Sequence, residues 1–164
     1  MRIFNPVLKK VFLKGIVFCI FTYSVVSAYK LKWISDDAFI SLRYAKNFVN
    51  GFGLVFNQSE KIEGYTNFLW TILLTIPHYF QLDPVLFSEI LGIIFYASTL
   101  LVLFFFSRKI QTNSIFIPIA FLGFSFHRHS QIFATSGLET SLFTFLIVFS
   151  FSILIFSKNI YNYF

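Results

Sequence analysis

Apolar positions in this chain come in long runs, and a polar stretch of 32 residues, 35–66, interrupts them. The runs at residues 11–29, 85–106 and 138–156 are each about long enough, at roughly 1.5 Å per residue, to cross a hydrocarbon layer as a helix. The run at 67–80 has only 14 residues and contains Pro77 and His78, which predicts an interfacial helix. Its Trp70 and Tyr79 suit the headgroup level, and Asp83-Pro84 ends it. The run at 115–126 is also short, holds Pro118 and stops at His127-Arg128-His129; it is expected to be a fourth crossing. The basic start, apolar middle and Val26-Ser27-Ala28 of the first run also fit a cleaved signal peptide, and the later runs hold the chain in the membrane either way.

The polar stretch has a pattern of its own. Ser35 is a good N-cap, Asp36 and Asp37 fall in a first turn, and Asn50-Gly51 is a stop, which predicts a helix over 35–50. Ala38, Leu42, Ala45 and Val49 recur at helical spacing, with Phe39 and Phe48 widening the stripe, so the helix is expected to lie on the bilayer surface. Asp36 and Arg43 are seven apart and share a face, as do Asp37 and Tyr44. A carboxylate beside a cation stays ionised, and the cation is then available to an anionic substrate group.

Composition sharpens the class. Of 164 residues, 57% are hydrophobic, 26 are Phe and 12% are charged, about half the charged share of a soluble domain. The pattern predicts an all-α integral membrane protein, a single module over 1–164 with about four transmembrane helices and amphipathic surface helices in the first external loop. The formal charge of +6 does not point to nucleic acid, because the basic residues flank apolar runs instead of forming a soluble basic face. With 67–80 lying flat outside, the crossings alternate and Arg2, Lys9, Lys10, Arg108, Lys109 and Lys158 all fall in the cytoplasm. Residues 35–66 and the loop from His127 to Gly137 are then external together. Cys19 is the lone cysteine, inside an apolar run, and is expected to be a buried packing residue.

Four of the seven carboxylates, Asp36, Asp37, Glu60 and Glu63, lie within the polar stretch. Acids at a membrane edge are costly to desolvate and often have a task, although two acids at a helix start also serve simply as dipole complements. Gly51-Phe52-Gly53 has no strand–helix context for a nucleotide loop, and His127 and His129 have poor metal-ligand spacing.

At this point specific residues resemble a family. The run I-S-D-D-A-F-I-S-L-R-Y-A-K-N-F-V-N-G-F-G-L-V-F-N, then E-K-I-E-G-Y-T-N-F-L-W, then S-G-L-E-T-S-L-F, is similar to the N-terminal part of bacterial GT-C membrane glycosyltransferases, in the terminal arabinofuranosyltransferase-like branch. The resemblance covers residues 34–143 and implies a GT-C N-terminal module in the cytoplasmic (inner) membrane. It implies transfer of a sugar from a polyprenyl-phosphate donor to a hydroxyl of a glycan or lipid acceptor at the outer face. Asp36 or Asp37 would be the base, with the other orienting substrate or holding a divalent metal ion, the one candidate cofactor. Arg43, Lys61 and Arg128 are candidates for the departing lipid phosphate, Tyr44, Glu63 and Tyr65 for sugar contacts, and Glu139 for closing the site. Family members have many more crossings, so a truncated product, a split enzyme needing a protein that supplies further transmembrane helices, or a degenerate paralogue are expectations too. The alternative class is a non-catalytic membrane subunit; the clustering of acids at the outer edge instead of mid-span favours the enzyme.

Overall fold

The computed structural model describes residues 6–58, 60–110 and 117–157, with side chains from residue 11 onward. Among them the regular structure is all helical: α1 (Pro6–Lys30), α2 (Ala38–Val49), α3 (Phe68–Leu73), α4 (Thr75–Tyr79), α5 (Pro84–Ile110), α6 (Ile119–Phe126), α7 (Arg128–Phe133) and α8 (Thr140–Ser157). Three of these helices, within α1, α5 and α8, are long and apolar enough to cross a membrane. Helix α5 starts where the sequence demands. Asp83 Oδ1 accepts from the N–H groups of Val85 and Leu86 at 2.9 and 3.2 Å. Pro84 takes the first position, where no N–H is needed, and Arg108 and Lys109 complement the dipole in the last turn.

Side-chain pairs fix the helix directions. Ser24 Oγ meets Tyr96 OH at 2.6 Å and Lys32 Nζ meets Glu89 Oε2 at 3.5 Å, so α1 and α5 run antiparallel. Phe95 packs on Phe145 and Phe106 on Phe156, so α5 and α8 run parallel. The return between them is made by α6 and α7, rising past Phe104 at Phe121 and past Tyr96 at Phe124. At Gly92 the backbones nearly touch: a Cβ there would sit 2.1 Å from the Ala134 carbonyl oxygen.

The expected fourth crossing at 115–126 is not one continuous helix. Residues 115 and 116 lie outside the described residues, and α6 has eight residues, about 12 Å, too short to cross alone. The chain breaks at His127, which is extended (φ −73°, ψ 103°), and resumes as α7. A break costs backbone hydrogen bonds that lipid cannot replace. Here side chains replace them: the Ser125 carbonyl accepts from Ser24 Oγ at 2.9 Å and from Gln131 Nε2 at 2.7 Å. Gln131 Oε1 in turn accepts from Ser27 Oγ at 3.0 Å. The stretch 128–137 is therefore a helix and a short turn packed on the bundle, where an external loop was expected.

Residues 67–80 hold a short apolar helix over Phe68–Tyr79, divided into α3 and α4 by a single turn residue, Leu74. Two further expectations are corrected. Helix α2 does not rest its Ala38–Leu42–Ala45–Val49 stripe on the bilayer. Ala38, Ser41, Leu42, Tyr44 and Ala45 are buried, with Leu42 and Ala45 in a cluster with Trp70, Leu74 and Leu142. Phe39 and Phe48 remain about half exposed, at 48% and 46%. Cys19 is exposed on α1, not buried.

Candidate active site

The acid pair is fixed from behind. Residues 31–35 form a strap between α1 and α2, anchored by Lys32 on Glu89, by Trp33 Nε1 donating to the Ile132 carbonyl at 3.0 Å, and by Ser35 N–H donating to the Ser136 carbonyl at 2.9 Å. The helix entry is a tight turn in which Ala38, Phe39 and Ile40 N–H groups bond the carbonyls of Ser35, Asp36 and Asp37. The N-cap is thus Asp37, two residues later than the expected Ser35, and its side chain makes no capping bond. Both carboxylates are exposed, and neither has a hydrogen bond or ion pair to any described residue.

Glycine makes this approach possible. Gly137 has φ +77°, and a Cβ on it would lie 2.3 Å from Ile34 Cδ1 and 2.8 Å from Ala38 Cβ. Its carbonyl accepts from Trp70 Nε1 at 2.9 Å. Asn67 Nδ2 donates to Glu139 Oε2 at 2.8 Å, and Asn67 also meets Ser41 Oγ and Thr71 Oγ1. The acidic-pair, E-G-Y-T-N-F-L-W and G-L-E-T blocks of the sequence therefore converge on one spot. Ser41 is four residues after Asp37, so the two share a helix face, and hydrogen bonds run on from Ser41 through Asn67 to Glu139.

Below that spot runs a groove of about 350 Å³. Its mouth is Thr66, Asn67 and Glu139, and its walls are Phe68, Leu69, Leu142, Phe143 and Leu146. Seven residues of α8 separate Glu139 from Leu146, a descent of about 10 Å from polar to apolar surroundings.

The other expected site residues are distributed unevenly. Arg43 does not pair with Asp36: its Nε donates to the Phe56 carbonyl at 2.8 Å, a terminal nitrogen donates to Asn57 Oδ1 at 3.2 Å, and its guanidinium stacks on Phe56. Asn47 Nδ2 holds the same loop through the Val55 and Phe56 carbonyls. Tyr44 is buried, its hydroxyl donating to the Ile62 carbonyl and accepting from Gly64 N–H, so it shapes residues 62–65. Tyr65 packs on Tyr44 at 4.6 Å between centroids. Burial first, then the Glu63 carboxylate and Tyr44, push the Tyr65 phenol above its ordinary range. Lys61 and Glu63 are exposed. Arg128 is exposed and opens α7 at the level of Ser24 to Ser27 of α1, on the flank of the bundle below the acid pair. Among the described residues no three His, Cys, Asp or Glu side chains gather as a metal site. Asp36 and Asp37 alone offer two carboxylates without a third protein ligand, so the donor set does not make a metal cage.

Sequence reasoning passed over two residues. Glu89 is buried in α5 as the partner of Lys32, the one ion pair among the described residues; a carboxylate inside an apolar run was the available signal. Asn67 joins Ser41 to Glu139, and nothing in periodicity marks such a hub.

Comparison with known proteins fits this convergence. The chain is 32% identical over 114 residues to a terminal β-(1→2)-arabinofuranosyltransferase of Corynebacterium glutamicum, covering 68% of this chain and 17% of that protein. It is 31% identical over 124 residues to the terminal β-(1→2)-arabinofuranosyltransferase of Mycobacterium tuberculosis, covering 70% of this chain and 20% of that one. No family model matches the sequence, and no solved structure matches it. The chain spans about a fifth of the length of these relatives, and over some two thirds of its own length it is a partial match to the terminal arabinofuranosyltransferase branch of the glycosyltransferases.

Proposed function

We propose that this module forms the acid-pair side of a GT-C glycosyltransferase site acting at the outer face of the cytoplasmic membrane. The donor is a polyprenyl-phosphate sugar and the acceptor a glycan or lipid hydroxyl. The observation that carries the reading is the pair of exposed, unpartnered carboxylates, Asp36 and Asp37, on a backbone tied to α1, α5 and the 134–139 turn. A general base needs an oxygen free to accept a proton from a substrate, and no described residue occupies either carboxylate.

The groove beside them suits a lipid-linked donor. Apolar walls receive the first prenyl units, while Glu139 and Asn67 at the mouth meet sugar hydroxyls. In the transfer, the acceptor oxygen bonds to the anomeric carbon as that carbon's bond to the donor phosphate breaks. The phosphate leaves with the electron pair, and Asp36 or Asp37 takes the acceptor proton. Asp37, on the face of Ser41, is the better placed of the two. Arg43 acts by holding the 51–57 loop, and Lys61, exposed and five residues before Thr66 at the groove mouth, is the cation for the departing phosphate. The site also requires walls that exclude water from an otherwise open face, and further helices of a longer protein or of a partner would provide them.

The test is a transfer assay in a transfer-competent assembly containing this chain, using a polyprenyl-phosphate pentose and an oligosaccharide acceptor. Asp36→Asn or Asp37→Asn is expected to lower the rate about 100-fold or more, the scale of a lost general base. Near-normal rates in both single variants would reduce the pair to dipole complements.

A further inference from the structure

On the side of α2 away from Asn67 and Glu139 lies a second, larger pocket of about 770 Å³. Arg43, Lys46 and Asn47 of α2 and its C-cap Asn50 line it, with His78 of α4 and Val85 of α5. Its position in depth is defined by its floor: Pro84 and Val85 are the first residues of an apolar helix long enough to cross a membrane, so the pocket sits where hydrocarbon gives way to headgroups. Its rim is aromatic and apolar. Phe39 lines it, and Tyr79, Phe80 and Leu82, on the segment that joins the lining residues His78 and Pro84, are exposed, the composition of an interfacial anchor. Its charge is positive. Lys46 is exposed and makes no ion pair with any described residue, while Arg43 contributes a guanidinium already committed on one edge to Phe56 and Asn57. The adjacent carboxylate, Asp83, is occupied by two N–H groups at the start of α5.

We propose that this pocket binds the headgroup phosphate of an anionic membrane glycerolipid, with Lys46 as the principal charge, Asn47 and Asn50 as neutral lining, and the aromatic rim against the acyl chains. A reacting donor phosphate is the less suitable occupant. The middle of the pocket lies about eight residues along α2 from the acid pair, roughly 12 Å, whereas a phosphate in transfer must lie within bonding reach of the reacting carbon. The bound lipid acts as a fastening. It holds the C-terminal half of α2 to the bilayer, and α2 carries the acid pair at its other end.

Native mass spectrometry of the detergent-solubilised full chain, titrated separately with phosphatidylglycerol, phosphatidylcholine and inorganic phosphate, tests this. Phosphatidylglycerol is expected to be retained about five-fold more strongly than phosphatidylcholine, the worth of a surface lysine facing an anionic lipid. Lys46→Gln should remove that preference, Lys46→Arg should keep it, and Lys30→Gln, an exposed lysine at the end of α1 outside the pocket, should leave it unchanged. Equal retention of the two lipids would overturn the proposal. So would an equal loss in Lys46→Gln and Lys30→Gln, or displacement of phosphatidylglycerol by millimolar inorganic phosphate, which would indicate a site for soluble anions.

Discussion

The outer layer and the bundle beneath it treat polar groups in opposite ways. In the bundle, Ser24, Ser27, Tyr96, Ser125 and Gln131 satisfy one another, and the result is a mended break between α6 and α7. In the outer layer, Ser41, Asn67, Trp70 and Glu139 knit three sequence blocks together, yet the two carboxylates on the same framework have no partner among the described residues. Buried polarity that is fully paired builds architecture; exposed polarity held rigidly without partners is available for chemistry. The same rule separates Arg43 and Tyr44, which are committed to loops, from Asp36 and Asp37, which are not.

The largest expected effect concerns which way the outer layer faces. Cysteine placed at Gln58 is expected to react with an impermeant thiol reagent added outside, and cysteine at Gln111 is not, an all-or-none contrast set by the basic residues flanking the apolar runs. Outside labelling at Gln111 would invert the arrangement.

The next effect is on stability. Trp70 is 1% exposed, fills the α2–α3–α8 cluster and donates to the Gly137 carbonyl. Trp70→Ala should cost about 3–5 kcal/mol in reversible unfolding of the outer layer. A cost below about 1 kcal/mol would mean that the blocks converge without being held together.

Tyr96→Phe probes the bundle. It deletes the hydroxyl that meets Ser24 Oγ and should cost about 1 kcal/mol while leaving any transfer rate in a competent assembly unchanged. A large loss of transfer without a loss of stability would move chemistry into the bundle.

The smallest effect is a pH dependence. Burial, and then the Lys46 ammonium, lowers the pKa of His78 below its ordinary value near 6.5, against a bond to the Leu42 carbonyl that raises it; its Nε2 is buried without a partner. A depressed histidine binds fewer protons folded than unfolded. Its contribution to stability is therefore full above about 6.5 and is lost as the pH falls through the lower folded value. The melting temperature should fall between neutral pH and about pH 5, and His78→Gln should flatten that fall. An unchanged slope in the variant would assign the acid sensitivity elsewhere.

Much of this was legible in the pattern of the chain. The runs at 11–29, 85–106 and 138–156 correspond to α1, α5 and α8, because a long apolar run has few alternatives to a helix. The segment 35–50 was legible as a helix but not in its orientation. Periodicity marked Ala38, Leu42 and Ala45 as one face and could not say whether lipid or Trp70 would cover it. The break at His127 was hidden because its compensation is non-local, with Ser24 and Gln131 separated from one another by more than a hundred positions. Glu139 was found through its block, whereas its contact with Asn67 joins residues 72 apart and has no local signature.

The central claim is that the unpartnered acid pair does chemistry while the paired polar groups hold the fold. It is tested most directly by measuring sugar transfer and thermal stability together for Asp37→Asn and Tyr96→Phe in the same transfer-competent assembly. Asp37→Asn is expected to lose transfer by about 100-fold with an unchanged melting temperature, and Tyr96→Phe to do the reverse, melting a few degrees lower with transfer intact. Transfer that survives in Asp37→Asn and in Asp36→Asn alike would contradict it.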